Sequence, residues 1–145
     1  MDRIDRITQE EQKIKECAEM LQPKNRWDIE LTDEEFNLLC RIVMLESGGE
    51  STLGQQAVTE VILNRMLDDY YGGSLTHVLS AKGQFSTWSS RNSSRANPTT
   101  QVEESVRSVL NGETSILPFE TVYFATRPAN SKIQTQIGNH YFCNK

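Results

Sequence analysis

Apolar residues recur at helical spacing near the start of the chain and again in its central part. Residues 1–22 carry isoleucines and small apolar residues every three or four positions, which predicts a polar amphipathic helix. A second apolar stripe follows Thr32, which is spaced to form a capping box with Glu35. This stripe stops at Gly48-Gly49, and paired glycines readily end helices. We therefore expect a core helix that begins after Thr32 and ends at the glycine pair.

Three further helical segments are predicted downstream. One apolar stripe runs from about Leu53 to Tyr70, and residues 75–79 favour a short helical turn. Asn97-Pro98 is typical of a helix start, since Asn caps well and Pro tolerates the first position. Asn111-Gly112 is typical of the end of that helix.

The end of the chain contains two predicted extended pieces, Thr121–Ala125 and Ile137–Cys143. Together with the helices they predict a mainly α (α+β) fold. A length of 145 residues fits one compact unit. We divide the chain into an N-terminal helical extension, residues 1–30, and a single folded domain, residues 31–145.

Charge and composition narrow the classes of partner. The net charge of −5 makes nucleic acid an improbable partner. No apolar run approaches the roughly 20 residues that span a bilayer, so we expect no membrane insertion. No secretory signal is visible at the N-terminus, which leaves the location unknown. The three cysteines and two histidines are too scattered for a metal site, and we expect no metal and no cofactor.

Glu46 is the candidate catalytic residue. It follows the apolar run of residues 42–45 at the end of the predicted core helix. Reduced hydration there favours a protonated carboxyl, which is what proton donation to a glycosidic oxygen requires. The alternative is that Glu46 is a solvated residue at a helix end, where Glu is common.

A second catalytic carboxylate is not evident in the sequence. Hydrolysis with two carboxylates needs an Asp or Glu across the scissile bond. The direction in which the Glu50 side chain points cannot be predicted, because it follows the glycine pair. Glu60, Asp68 and Asp69 are expected on a solvent-facing helix surface. A lytic transglycosylase needs only one acid/base, since the sugar's own 6-hydroxyl attacks the anomeric carbon.

Five segments of the chain match one known family in order. They are Arg41–Glu50, Gly54–Val58 with Val61–Arg65, Gly83–Ser86, Tyr123-Phe124 and Ile137–Cys143. In these segments the chain resembles the SleB-type cell-wall hydrolases, the spore-cortex-lytic family. The resemblance implies a lysozyme-like fold and lytic cleavage between N-acetylmuramic acid, or its lactam, and N-acetylglucosamine, with Glu46 as the acid/base. Ser47 and Gly48 depart from the family's usual Ala and long side chain, although Glu46-Ser47 is similar to the Glu-Ser pair of broader lytic transglycosylases.

Seven residues are candidates for contact with the glycan. They are Ser47, Asn64, Gln84, Phe85, Ser86, Tyr123 and His140. Tyr123 could hydrogen-bond the Glu46 carboxylate or the 6-hydroxyl. Structural roles stay open as alternatives for three of them. Asn64 could tie loops together, Phe85 could be a core plug, and His140 is more typical of a structural residue.

The leading hypothesis is a peptidoglycan lytic transglycosylase that gives 1,6-anhydro products from glycan strands. A muramidase that uses water with the same Glu46 is one alternative, and a non-catalytic wall-binding or partner-binding module is another. In the last case residues 1–22 would dock a protein partner, although packing on the domain is favoured. Because no secretory signal is visible, we expect synthesis in the cytoplasm or forespore. The resemblance implies action at the spore cortex or cell wall.

Overall fold

The computed structural model describes residues 9–13 and 25–145 of the chain. Residues 9–13 are helical and exposed, and the rest of the predicted N-terminal helix lies outside the described residues. In these two ranges every helix is too short or too polar to span a bilayer.

The first core helix, α1, spans Asp33–Ser47, and the predicted bounds are confirmed. The Thr32 hydroxyl accepts a hydrogen bond from the Glu35 amide at 3.1 Å, and the Glu35 carboxylate accepts one from the Thr32 amide at 3.0 Å. The capping box therefore forms as expected. At the other end, the Gly48 amide donates to the Met44 carbonyl, and the helix stops.

The second core helix, α2, spans Thr52–Leu67, with Ser51 as its N-cap. It ends before the predicted Tyr70 because the carboxylate of Asp68 accepts hydrogen bonds from the backbone amides of the turn that follows. Residues from Gly54 to Arg65 are nearly all buried, so α2 is the central helix of the domain. The predicted short helix is confirmed as α3, Leu75–Ser80.

The last helix, α4, spans Thr100–Leu110. The predicted start at Asn97-Pro98 is wrong, because the hydroxyl of Thr99 accepts from the Val102 amide and caps the helix instead. The Asn97 side chain accepts a hydrogen bond from Arg41 at 3.1 Å. The predicted end of the helix, just before Asn111-Gly112, is confirmed.

Residues 121–144 form a three-stranded antiparallel sheet with the strand order β1-β3-β2. The strands are β1 (Thr121–Ala125), β2 (Ile133–Ile137) and β3 (His140–Asn144). The first predicted extended piece is confirmed. The second is wrong as a single piece, because Gly138 adopts a left-handed φ of 57° and the chain reverses between β2 and β3.

The hydrophobic core forms where α1, α2 and α4 meet, and β3 contributes the fully buried Phe142. The polar segment of residues 83–98 packs on α1 as two short 3-10 turns, Ser86–Ser90 and Ser94–Ala96. Arg41 of α1 holds this segment, since its Nε donates to the Arg91 carbonyl at 2.7 Å. The predicted α+β class is confirmed, and the packing brings the polar segment against the helix that carries Glu46.

Candidate active site

Glu46 lies in the last turn of α1 and is partly buried. The hydroxyl of Thr87 donates a hydrogen bond to Glu46 Oε1 at 2.7 Å. Thr87 belongs to the 3-10 turn that packs on α1, so two elements distant in sequence fix one carboxylate. A hydrogen bond of this length restricts the orientation of the carboxyl group while the second oxygen keeps its acceptor capacity.

Arg65 of α2 places a buried guanidinium near Glu46. Its Nε donates to the Val122 carbonyl at 2.6 Å, and its Nη1 donates to the Gln84 side chain at 3.1 Å. Burial lowers the pKa of Arg65, and nearby groups oppose this shift. Those groups are Tyr71, Tyr123, Glu46 and Asp68. Arg65 therefore connects α2, β1 and the polar segment through neutral acceptors, and Glu46 is one of the charged groups around it.

Tyr123 makes a hydroxyl pair with Tyr71. The two phenol oxygens are 2.7 Å apart, and the rings meet edge to face. This hydrogen bond, together with burial, raises the pKa of Tyr71 to about 12. In this structure the hydroxyl of Tyr123 has Tyr71 as its partner and not Glu46, and the predicted contact with the 6-hydroxyl stays a prediction. Both phenol ring centres lie within 6 Å of the Arg65 guanidinium.

Glu50 and His140 meet on the other side of the glycine pair. Glu50 Oε1 accepts a hydrogen bond from the Asn139 amide at 3.0 Å and lies 3.6 Å from His140 Nδ1. His140 is 7% exposed and packs its ring edge to face against Phe124. This contact ties the bend after α1 to the β2–β3 turn, and it favours the structural alternative for His140.

Three candidates of the polar segment differ in their surroundings. Phe85 is buried and packs 6.1 Å from the Phe124 ring, which favours the core-plug alternative. Gln84 and Ser86 are both exposed. The side-chain oxygen of Gln84 accepts one hydrogen bond from Arg65. Gln84 and Ser86 therefore remain available to a ligand next to Thr87.

Ser47 and Asn64 direct their polar groups inward. The Ser47 hydroxyl donates to the Val43 carbonyl of the same helix at 2.9 Å. Asn64 accepts from the Trp27 indole at 2.7 Å and donates to two backbone carbonyls, those of Pro118 and Thr121. Each of these two residues is only 2% exposed. The structure does not bring their polar groups towards Glu46, and for Asn64 it favours the alternative of tying segments together.

The expectation that Glu60 and Asp68 face solvent is wrong. Glu60 is fully buried, because other elements pack against α2 on nearly all sides. It pairs with Arg26 at 2.8 Å. Asp68 pairs with Lys145 at 2.8 Å and its side chain is 7% exposed. Asp69 is exposed, as expected.

Sequence reasoning missed Thr87 and Tyr71 and did not select Arg65 as a site residue. Thr87 directly follows the segment Gly83–Ser86 that carries the family resemblance, which is the one signal that pointed to it. Tyr71 lies in a turn whose tertiary partner is 52 residues away, so no local pattern identifies it.

Comparisons with known proteins identify a family and a fold for this chain. The model of the family described as cell wall hydrolase matches residues 49–143, a range that begins just after Glu46. The catalytic domain of the Bacillus cereus SleB protein is 25% identical, with a TM-score of 0.66 over 79% of this chain and 93% of that chain. The catalytic domain of the germination-specific lytic transglycosylase SleB from Bacillus anthracis is 22% identical, with a TM-score of 0.68 over 79% and 97%, and supports the fold alone. No curated protein matches.

Proposed function

Because the chain belongs to the cell wall hydrolase family, we propose that it is a peptidoglycan lytic transglycosylase with Glu46 as its single acid/base. Peptidoglycan glycan strands are the substrate. The bond cleaved joins N-acetylmuramic acid, or its lactam, to N-acetylglucosamine, and the product ends in a 1,6-anhydro ring. The family is that of the cell wall hydrolases.

The observation that carries the proposal is the difference between Glu46 and three of the other carboxylates that were weighed as a second catalytic group. Glu46 is partly exposed and accepts one side-chain hydrogen bond, from Thr87. Backbone amides donate hydrogen bonds to the carboxylates of Glu50, Glu60 and Asp68. Glu60 and Asp68 also form ion pairs. A carboxylate engaged in this way is poorly placed to activate a water molecule across a scissile bond.

One carboxyl can perform both halves of the transglycosylase reaction. The Glu46 carboxyl first gives its proton to the glycosidic oxygen, and the bond between that oxygen and the anomeric carbon breaks. The Glu46 carboxylate then removes the proton of the 6-hydroxyl, whose oxygen bonds to the anomeric carbon. The ring closes, and Glu46 regains the proton with which it began. Water is not consumed.

The surroundings of Glu46 suit this double role. The hydrogen bond from Thr87 holds one carboxylate oxygen and leaves the other oxygen for the proton that is exchanged with the sugar. The fixed guanidinium of Arg65 lies close enough to interact electrostatically, and its position does not depend on substrate because backbone and side-chain oxygens already hold it. Preorganised charge of this kind needs no rearrangement during the reaction.

Mass analysis of the products tests the proposal. Purified peptidoglycan is digested with the wild-type protein, and the soluble fragments are analysed by mass spectrometry without chemical reduction. The expected fragments are lighter by one water than those of a hydrolytic muramidase and carry no reducing end. Fragments of full hydrolytic mass with N-acetylmuramic acid at the reducing end would instead establish a muramidase. Binding of the wall without release of any fragment would support a non-catalytic module.

A further inference from the structure

The bend Gly48–Glu50 follows the last turn of α1, the turn that carries Glu46. The Glu50 amide donates to the Ser47 carbonyl at 2.9 Å, so the bend forms part of the end of the helix. Two adjacent glycines give it more conformational freedom than other residues would. A β-carbon added at Gly49 would have no atom of the described residues beyond its chain neighbours within 4 Å. Because helix ends fray readily, the backbone of Glu46 needs a restraint from elsewhere in the fold.

The side chain of Gln55 provides such a restraint. Gln55 lies in the first turn of α2 and is fully buried. Its Nε2 donates to the Glu50 carbonyl at 3.2 Å and to the Gly48 carbonyl at 3.4 Å. Because a carbonyl oxygen can only accept, the amide must present its NH₂ group to the bend. The side-chain oxygen of Gln55 therefore points away from the bend, towards α4.

Ser105 of α4 contacts the other end of this amide. Its hydroxyl lies 2.8 Å from Gln55 Oε1 and 2.9 Å from the Gln101 carbonyl, and it can donate its single hydrogen to either oxygen. Ser105 is also fully buried. Turning the Gln55 amide over would place its oxygen against two carbonyl oxygens, which burial makes costly. The network therefore gives Gln55 one favoured orientation and connects the packing of α2 on α4 to the bend.

The carboxylate of Glu50 provides a second restraint on the bend. Its Oε1 accepts a hydrogen bond from the Asn139 amide at 3.0 Å. A β-carbon added at Gly138 would lie 2.8 Å from Glu50 Oε2, so this close approach requires a glycine in the β2–β3 turn. The bend is therefore held through its backbone by α2 and through a side chain by the sheet.

We propose, on the basis of the proposed function, that Gln55 is a positioning residue of the reaction and acts on Glu46 through the bend. Thr87 holds the carboxyl group of Glu46, and Gln55 holds the backbone that follows it. Proton transfer needs this carboxyl within hydrogen-bond distance of the glycosidic oxygen. A displacement of about 1 Å can slow a reaction about 100-fold. Loss of the Gln55 amide should therefore lower kcat and leave binding of the glycan nearly unchanged.

Variants of two neighbouring links between α2 and α4 test this role. Gln55→Met keeps the approximate length of the side chain and removes its hydrogen bonds, and Ser105→Ala removes the hydroxyl alone. Gln56 Nε2 donates to the Ser108 hydroxyl at 2.9 Å, which is the same kind of link one residue further along α2. That hydrogen bond does not involve the bend. Gln56→Met and Ser108→Ala are therefore the matched controls.

Two measurements are made on each purified variant, at a temperature well below its thermal midpoint. The first is kcat and KM for fragment release from soluble glycan strands, and the second is hydrogen exchange at the Gly48 and Glu50 amides. We expect Gln55→Met to lower kcat about 10- to 100-fold with little change in KM. Ser105→Ala should lower kcat about five-fold, the factor that corresponds to one neutral hydrogen bond. Both variants should exchange the two amides faster, and both controls should resemble the wild type.

A folded Gln55→Met protein with wild-type kcat would overturn the proposal. So would equal losses of kcat in Gln55→Met and Gln56→Met, since the effect would then come from the packing of α2 on α4 in general. If Gln55→Met does not fold, Ser105→Ala decides, and wild-type kcat and exchange in that variant overturn the proposal. Failure of the wild-type protein to release fragments would contradict the proposed function instead. Hydrogen exchange would then still show whether Gln55 holds the bend.

Discussion

Glu46 and Glu60 lie on neighbouring core helices and have opposite surroundings. Glu60 is fully buried. Its two oxygens accept hydrogen bonds from Arg26 and Thr114, and from the backbone amides of Ile116 and Leu117. Glu46 is partly exposed and accepts a side-chain bond from Thr87.

The contrast shows how a structural carboxylate differs from one that can react. An ionised carboxylate has about four acceptor sites, and the donors around Glu60 use them. Glu60 thereby joins the segment before α1 to the segment before β1, and it has no capacity left for a substrate. Glu46 keeps acceptor capacity on a partly exposed side chain, which is what proton exchange with a ligand requires.

Removing the charge of Glu60 should have the largest effect on stability. In Glu60→Gln, Arg26 loses its anionic partner. The NH₂ group of the new side chain is itself a donor and would face groups that now donate to Glu60. We expect the free energy of unfolding to fall by about 3–5 kcal/mol. Chemical denaturation of the purified variant measures this. A loss no greater than that of Asp69→Asn, an exposed acidic residue just beyond α2, would show that the buried network does not support the fold.

The bond between Thr87 and Glu46 should affect activity and leave stability nearly unchanged. Thr87→Val keeps the shape of the side chain and removes the donor, so we expect about 10-fold slower fragment release. Thr87→Ser keeps the hydroxyl and should retain most of the activity. Turbidity loss of a peptidoglycan suspension measures both rates. Equal losses for Val and Ser would show that packing of the methyl group, and not the hydrogen bond, matters.

The hydroxyl pair of Tyr71 and Tyr123 should give a smaller, pH-dependent effect. The pKa of Tyr71 is raised to about 12 in the folded protein, above its ordinary value of about 10. Its contribution to stability is therefore complete below about pH 10 and is lost as the pH rises through about 12. At about pH 9, Tyr71→Phe should cost about 1 kcal/mol, the usual value of a neutral hydrogen bond.

This difference between wild type and Tyr71→Phe should shrink as the pH approaches 12. Burial also raises the pKa of Cys40 to about 12, but that residue is present in both proteins and its contribution cancels. Denaturation curves at several alkaline pH values measure the difference. A difference that stays constant with pH would contradict the shifted Tyr71 pKa.

The parts of the fold that the sequence predicted are those with local signals. The capping box of Thr32 and Glu35 and the glycine pair after Ser47 set both ends of α1 through contacts within a few residues. The start of α4 was wrong because Arg41, 56 positions away, engages the Asn97 side chain. That competition between a local cap and a distant partner has no sequence signature.

The burial of Glu60 was missed for a related reason. One apolar stripe on α2 predicted a single buried face, whereas α2 packs against α1, α3, α4 and β1 and is buried on nearly all sides. The β2–β3 turn had a local signal, Gly138-Asn139, but it lies inside a run that also resembles one extended segment. For the candidate site, the sequence predicted Glu46 but not its partner Thr87, since only the folded polar segment brings the two together.

The rate at which Glu46→Gln releases soluble fragments from purified peptidoglycan tests the central claim most directly. The matched control is Glu34→Gln, an exposed glutamate in the first turn of the same helix. We predict that Glu46→Gln keeps the wild-type thermal midpoint and is at least about 100-fold slower, the usual contribution of a general acid/base, while Glu34→Gln retains wild-type activity. A folded Glu46→Gln protein that cleaves at the wild-type rate would contradict the account.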